Sequence, residues 1–302
     1  MAEPLKIQSI LYENDPESTI KFLNCLQVCE QPEGFWLFLH LGDCSKERLL
    51  NDDAFAYWSE ELKQRKIEFQ YTWFGENHGP SKGHNRLFEE QPIGERLLII
   101  NPDQVFPPHL LVRLCAFADE RPRWGIVETR QIPLEHPKAF DPETFQTSWA
   151  STACSLFNAE AFKACNGFDE HFFMYSDDVD ISWRIRALRY HVYYCINTFV
   201  YHAKRLTGQG IEASKAELYY GTLNSMLLRA KYGRGELNTP VVKWLKQTDD
   251  PIYRDVLKEY RRLSKLVTPA TGPERKAAHF APDGNFATHR WQYRDLESEA
   301  SA

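Results

Sequence analysis

The sequence predicts an α/β protein: a mostly parallel sheet flanked by helices, with a helical C-terminal extension. Three observations predict it. Short apolar runs alternate with amphipathic helical segments through about residue 205, the rhythm of strand–helix–strand units. Arg96–Ile100 is nearly all apolar, as a strand buried on both faces has to be. Asn14, Asp43 and Asp103 all fall at predicted strand ends, where ligands bind in such sheets.

Taken in order, the first strand is read over 7–12. Asp15-Pro16 then supplies an N-cap with proline at the first helical position, opening a helix to about Val28. The second strand is read over 35–41 and ends near Asp43; 46–65 is helical by composition, and 68–73 is a third strand. Residues 96–100 feed Asn101-Pro102-Asp103, and Pro107-Pro108 opens a helix through Phe117. The prolines of 128–148 suggest a long, substrate-facing loop. Ile181, Ile185 and Leu188 recur at one-face spacing behind an acidic cluster, and 190–201 reads as a strand. Helices are expected over 212–232, closed by Gly233-Arg234-Gly235, and over 252–266, with Ile252, Val256, Tyr260 and Leu263 on one face. The last ~35 residues look irregular. The expected division is 1–235 as the α/β domain and 236–302 as the extension.

With 43% hydrophobic and 14% aromatic residues in 302, the chain can bury a sizeable core. A net charge of 36 − 42 = −6 argues against wholesale nucleic-acid binding, which wants a basic surface. The seven cysteines are scattered and hold no Cys-x-x-Cys pair, the pattern of small buried hydrophobes in a reducing cytoplasm. The N-terminus lacks the apolar core of a signal peptide and no run reaches a membrane span, so a soluble cytoplasmic protein is expected. Residues 241–302 carry 11 Lys/Arg against 9 Asp/Glu, with Arg254, Lys258, Arg261, Arg262 and Lys265 gathered on one amphipathic helix. That helix would either pack on its own domain with a solvated basic face or dock on the inner face of an anionic membrane.

The most informative stretch runs from Asn166 to Asp180, in which Asp177, Asp178 and Asp180 sit within four residues. Carboxylates that close repel unless a cation, a polar substrate or a helix N-terminus compensates. Asp180 can instead pair with Arg184 at i+4. Asn101-Pro102-Asp103 lies about 75 residues upstream, and its strand-end carboxylate can bind Mg²⁺ or Mn²⁺. His202 follows the 190–201 strand, and its imidazole suits Mn²⁺ better than Mg²⁺. The segment Glu76-Asn77-His78-Gly79-Pro80-Ser81-Lys82-Gly83-His84-Asn85 reads by itself as a polar turn with two glycines and a lysine, a Gly/Lys loop.

Together these motifs resemble the active-site signatures of glycosyltransferase family 2, closest to its bacterial rhamnosyltransferase-like members, over roughly residues 5–235. The resemblance implies a GT-A fold and an inverting, metal-dependent transfer from a nucleoside-diphosphate sugar (UDP-, dTDP- or GDP-linked). The acceptor would be a hydroxyl of a glycan or lipid-linked glycan, as in surface-polysaccharide biosynthesis. It implies Asp178 as catalytic base and Asp177 as acceptor holder. Asp103 and His202 would hold Mn²⁺ or Mg²⁺, with Asn101 replacing a first Asp. Tyr12, Asn14, Asp43, Asn77, Lys82 and Asn85 would contact the nucleotide sugar. Two departures, Asn101 and Glu13 where an aromatic is usual, leave room for a non-catalytic partner that keeps the fold. A glycoside hydrolase also needs two carboxylates but gives no reason for the Gly/Lys loop.

Overall fold

The computed structural model describes residues 2–91, 94–134, 138–202, 206–207, 210–211, 213–281 and 284–286. Its strands are β1 (Glu3–Leu11), β2 (Phe35–Asp43), β3 (Ile67–Trp73), β4 (Arg96–Ile100), β5 (Gln104–Val105), β6 (Trp124–Ile132), β7 (Cys154–Asn158) and β8 (His191–His202), with a small hairpin of β9 (Leu206–Thr207) and β10 (Gly210–Ile211). The helices are α1 (Pro16–Gln27), α2 (Asp52–Gln64), α3 (Gly79–Glu90), α4 (Leu110–Asp119), α5 (Ala159–Ala164), α6 (Asp177–Ala187), α7 (Lys215–Lys231), α8 (Thr239–Leu245), α9 (Val256–Leu263) and α10 (Gly272–Ala277).

The main sheet has the order β3-β2-β1-β4-β7-β6-β8-β5. β1, β2, β3 and β4 are mutually parallel, β7 is antiparallel to both β4 and β6, and β6 runs parallel to β8. Two reversals cancel, so β6 and β8 point the same way as β1–β4. Their C-terminal ends therefore share one edge of the sheet, which brings Asn14, Asp43, Asn101, Asp103 and His202 to the same side.

Residues of β4 alternate between two cores. Leu98 and Ile100 join the cluster under α1, α2 and α4, whereas Leu97 and Ile99 join the one formed with α5 and α6. The strand is thus buried on both faces, as its apolar run requires. α6 is buried on two sides: Ile181 and Ile185 face the sheet cluster, and Val179 and Trp183 face α7 and α9. Leu188, expected on the inner face, is exposed because the helix ends at Ala187.

Several sequence readings are corrected. Residues 128–132 belong to β6 rather than to a loop; buried Glu128 breaks the apolar pattern, and its charge is met by buried Lys138. The polar stretch around Gly79–Asn85 is the first half of α3, not a loop. Gly79 sits at φ 70, and a Cβ there would lie 2.6 Å from the Phe173 carbonyl oxygen. Gly83 is inside the helix because a Cβ would meet Ile10 of β1 at 2.9 Å. α2 starts at Asp52, where the Asn51 side chain caps it, six residues later than its composition suggested. Pro251 starts a short 3₁₀ turn, which delays α9 to Val256, and the tail contains α10, opened by a Thr271–Glu274 capping box.

α3 is held on the sheet by a buried basic group. Lys6 of β1 donates its Nζ to the Leu87 and Gln91 carbonyls at 2.6 and 2.5 Å, capping the helix C-terminus. Burial, opposed by Glu90, lowers Lys6 to about 7. Burial first, and the Lys6 charge second, lowers His40 and His84 beside it to about 3. Both rings are neutral in the fold and would protonate near 6.5 once unfolded. Their contribution is complete above about pH 6.5 and is lost as pH falls toward 3, at most ~1.4 kcal/mol per pH unit for each ring. The urea midpoint is therefore expected to drop on going from about pH 7 to about pH 5. A midpoint that stays flat in wild type, or is unchanged in slope by His84→Gln, would contradict this.

Candidate active site

The two N-terminal turns of α3 and α6 meet at the acidic cluster. Asp177, the first residue of α6, is buried, and its Oδ2 accepts a hydrogen bond from Ser81 Oγ at 3.1 Å. Asp178 is half-buried and accepts from the Val179 amide at 2.9 Å. Burial first and the Asp178 charge second raise the Asp177 carboxyl to about 7, against the downward pull of Ser81 and backbone amides. Near pH 7 the buried Asp177 carboxyl is therefore only partly ionised, and Asp178 is the member of the pair that reaches solvent.

The chain enters α6 through a strained turn. Tyr175 and Ser176 have φ 68 and 62, left-handed values that cost about 1–3 kcal/mol each in residues other than glycine. Asn224 of α7 compensates: buried, it donates Nδ2 to the carbonyls of Met174 and Tyr175 at 2.7 and 3.3 Å. Phe173 stacks on Tyr220 of the same helix at 4.9 Å. α7 thus fixes where the two carboxylates point. Asn224→Ala is expected to lower kcat by about tenfold or more with a smaller change in KM, because it misplaces the acidic pair rather than removing it. Asn224→Asp, which keeps the size but not the donor, is expected to be equally impaired; unchanged kinetics for both would remove the positioning role.

Asp180 does not join this pair. Its buried carboxylate binds Arg184 Nε at 2.7 Å, Lys231 Nζ at 2.6 Å and the Tyr232 hydroxyl at 3.1 Å. Lys231 also reaches Asp169 at 2.7 Å. Burial alone would raise Asp169, but Lys231 and bonds from His171 hold it at about 2. This network locks α6, α7 and the Asn166–Asp180 loop together.

At the end of β8, His202 Nε2 lies 3.1 Å from Asp103 Oδ2, while Nδ1 lies 3.1 Å from Gln131 Oε1. With the Gln131 oxygen accepting from Nδ1–H, the Nε2 lone pair faces a carboxylate oxygen. Two acceptors at that distance need a proton or a cation between them, so this oxygen–nitrogen donor pair fits a divalent cation, with Gln131 setting the tautomer. Among the described residues no third His, Cys, Asp or Glu completes a cluster. The remaining positions would fall to ligand oxygens and water. Asn101 stands beside them, its amide donating to the Ala153 carbonyl at 2.8 Å.

The other expected nucleotide contacts divide into two groups. Tyr12 is exposed and its amide donates to Asn14 Oδ1 at 2.8 Å; Lys82 is exposed on α3; Asn77 is exposed and accepts from the Gly79 amide at 3.0 Å. These line the open edge. Asp43 and Asn85 are turned inward. Asp43 is buried and accepts from the Ser45 and Leu49 amides at 2.8 and 2.9 Å and from the Tyr71 hydroxyl. Asn85 exchanges bonds with the Phe168 backbone at 2.9 and 2.8 Å and reaches Glu170 at 3.1 Å. Both organise loops in this structure.

Sequence reasoning missed Ser81, Gln131, Asn224 and Trp73. Trp73 ends β3, is 40% exposed, and donates its indole N–H to the Ser45 carbonyl at 2.9 Å, so it presents an aromatic face at the edge where Glu13 had replaced one. A single signal was available for it: an aromatic residue at a predicted strand end.

Neither a protein-family model nor a curated protein sequence matches the chain. Solved structures do. The mannosyltransferase PcManGT from Pyrobaculum calidifontis, in complex with GDP-Man and Mn²⁺, superposes with a TM-score of 0.56 at 14% identity, covering 100% of this chain and 80% of that one. GalNAc-T7 with UDP, GalNAc and Mn²⁺ gives 0.62 at 12% identity, over 87% of this chain and 55% of that one. S. aureus TarS 1–349 gives 0.53 at 14% identity, over 97% and 92%. The fold is similar to that of the GT-A glycosyltransferases: a mixed α/β sheet flanked by helices, with a helical C-terminal region.

Proposed function

We propose that the chain is a metal-assisted, inverting glycosyltransferase of the family 2 type. It would move a sugar from a UDP-, dTDP- or GDP-linked donor to a hydroxyl of a glycan or lipid-linked acceptor. The observation that carries this reading is the arrival of two separate pairs, Asp103–His202 and Asp177–Asp178, on elements that open at one edge of the sheet.

In this reading Asp178 takes the proton of the acceptor hydroxyl as that oxygen attacks the anomeric carbon and the bond to the diphosphate breaks. Asp177, protonated up to about 7, offers a donor to the acceptor and spares Asp178 a second full charge. Asp103 and His202 would hold Mn²⁺ or Mg²⁺, which when bound neutralises charge on the leaving diphosphate. Tyr12, Asn14, Asn77, Lys82 and Trp73 would face the nucleotide. Asp43 and Asn85 support the reading indirectly, through the loops they hold.

Similar folds solved with GDP-Man and Mn²⁺, and with UDP, GalNAc and Mn²⁺, support the donor class. The inward turn of Asp43 and Asn85 favours one alternative, a non-catalytic partner that retains the fold. Membrane contact through α9 would rest on charge alone, since Val256 and Leu263 are buried within the C-terminal cluster. Among the described residues no helix is long and apolar enough to cross a membrane.

The test is release of nucleoside diphosphate from a panel of UDP-, dTDP- and GDP-sugars, with Mn²⁺ and with EDTA. Metal-dependent release from one donor is expected. Binding without release from any donor would favour the non-catalytic partner, and nucleotide-independent release of free sugar from a glycoside would favour a hydrolase.

A further inference from the structure

Away from the candidate active site, the amino-terminal edge of the sheet opens into a cavity of about 950 Å³. It lies where β6 and β8 begin and where α6 ends, between those elements and α10. Asp178 and Arg186 are eight residues apart on α6, which puts the cavity roughly 12 Å further along that helix than the acidic pair. Arg123, Arg186, Arg189 and Lys276 line it, together with His191 and His279. Asp141 is the one carboxylate of the lining, and its Oδ1 is taken by the Glu143 and Thr144 amides at 3.0 and 2.7 Å. Four fixed cations against one carboxylate leave +3 in a chain whose net charge is −6.

None of the four cations makes an ion pair among the described residues. Arg186 is the best built of them. Half-buried, it donates Nη1 to the Ser148 and Ala277 carbonyls at 3.4 and 2.5 Å, which fixes the guanidinium plane. Its Nε and Nη2 make no hydrogen bond among the described residues, so the edge of the fork suited to bidentate oxyanion binding is left over. Arg123 is likewise braced, donating Nε to the Arg189 carbonyl at 2.8 Å, with its guanidinium 5.7 Å from the Tyr190 ring centre. Burial lowers Arg186, and burial together with the charges of Arg123 and Arg186 lowers His191. A merely solvated basic face would not need braced arginines around a concave floor.

We propose that this cavity is an anion-binding site for a phosphate group, with the guanidinium of Arg186 as its anchor and Arg123, Arg189 and Lys276 around it. The group would come either free or as part of a phosphate polymer. The site is separate from the donor site and does not depend on the glycosyltransferase reading.

The test is calorimetric titration of the full chain with inorganic phosphate and with a short polyphosphate, for wild type, Arg186→Gln/Arg189→Gln and Lys276→Gln. UDP and GDP binding with Mn²⁺ is measured in parallel, so that failure of one site is not mistaken for failure of the other. Circular dichroism melting verifies that the variants fold. The expected result is that the double variant loses about tenfold or more in phosphate affinity, and Lys276→Gln less, with nucleotide binding unchanged. Much tighter binding of polyphosphate than of phosphate would identify the polymer as the ligand; equal binding would identify free phosphate. Absence of phosphate binding in wild type, or binding that the folded variants retain in full, would overturn the proposal.

Discussion

Replacing Asp178 with asparagine is expected to lower kcat by roughly 10²–10⁴-fold while leaving donor binding nearly intact. The amide keeps the size and the hydrogen bond to the Val179 amide, so the α6 N-terminus should survive, and only the capacity to accept a proton is lost. Asp177→Asn tests the division of labour within the pair. It imitates a carboxyl that already holds its proton up to about 7, so its effect below that pH should be small. Above it, wild type carries a second charge that the variant lacks, and the inflection near pH 7 should vanish from the variant's profile. The sign for stability follows from the same shift. A carboxyl whose folded value is raised from 3.8 to about 7 stabilises the fold below 3.8 and loses that contribution as pH climbs through 7. Equal losses of kcat in the two variants would remove the assignment of Asp178 as base.

The largest expected effect on stability lies at Lys231, the last residue of α7. Lys231→Met should destabilise the protein by about 3–5 kcal/mol, measured by urea unfolding, because it strands buried carboxylates without their shared cation. Lys231 is 5% exposed and bridges Asp169 and Asp180, whose side chains are 14% and 0% exposed. Arg184 still meets Asp180, so the larger penalty falls on Asp169. Its carboxyl should rise from about 2 towards ordinary values, and the acid loss of stability expected of wild type between 3.8 and 2 should weaken. A cost below about 1 kcal/mol would mean that solvent reaches this network and that it does not lock α6 to α7.

How much of this was legible in the sequence depended on whether a residue's partner was near in sequence or far. Strands β1 to β4 could be read because each is a short stretch of alternating or continuous apolar residues bounded by turn signals, and β4 carried its two-faced burial in its composition. The pairing of Asp180 with Arg184 was legible because i+4 spacing is local. β6 went unread, its second half taken for a loop, because Glu128 looks like a surface residue until Lys138, ten positions away, is folded onto it. The first turns of α3 read as a loop because glycine and proline usually mean one. Here Gly79 makes room for the Phe173 carbonyl and Gly83 for Ile10, contacts that no local pattern records.

The candidate site divides in the same way. The acidic pair and the Asp103–His202 pair were named from motif positions, and the fold brings the members of each together. Asp43 and Asn85 were named on the same grounds, yet their polar atoms are engaged by Tyr71 and by the Phe168 backbone. Asn224 lies on a helix that carried no motif, and only the left-handed turn at Tyr175–Ser176 gives it a purpose.

The most direct measurement is calorimetric binding of UDP, dTDP and GDP, each with and without Mn²⁺, to wild type and to Asp103→Ala. The account predicts that one diphosphate binds, that Mn²⁺ tightens its binding, and that Asp103→Ala abolishes the metal dependence while the protein remains folded. Failure of all three diphosphates to bind wild type in the presence of Mn²⁺ would contradict it.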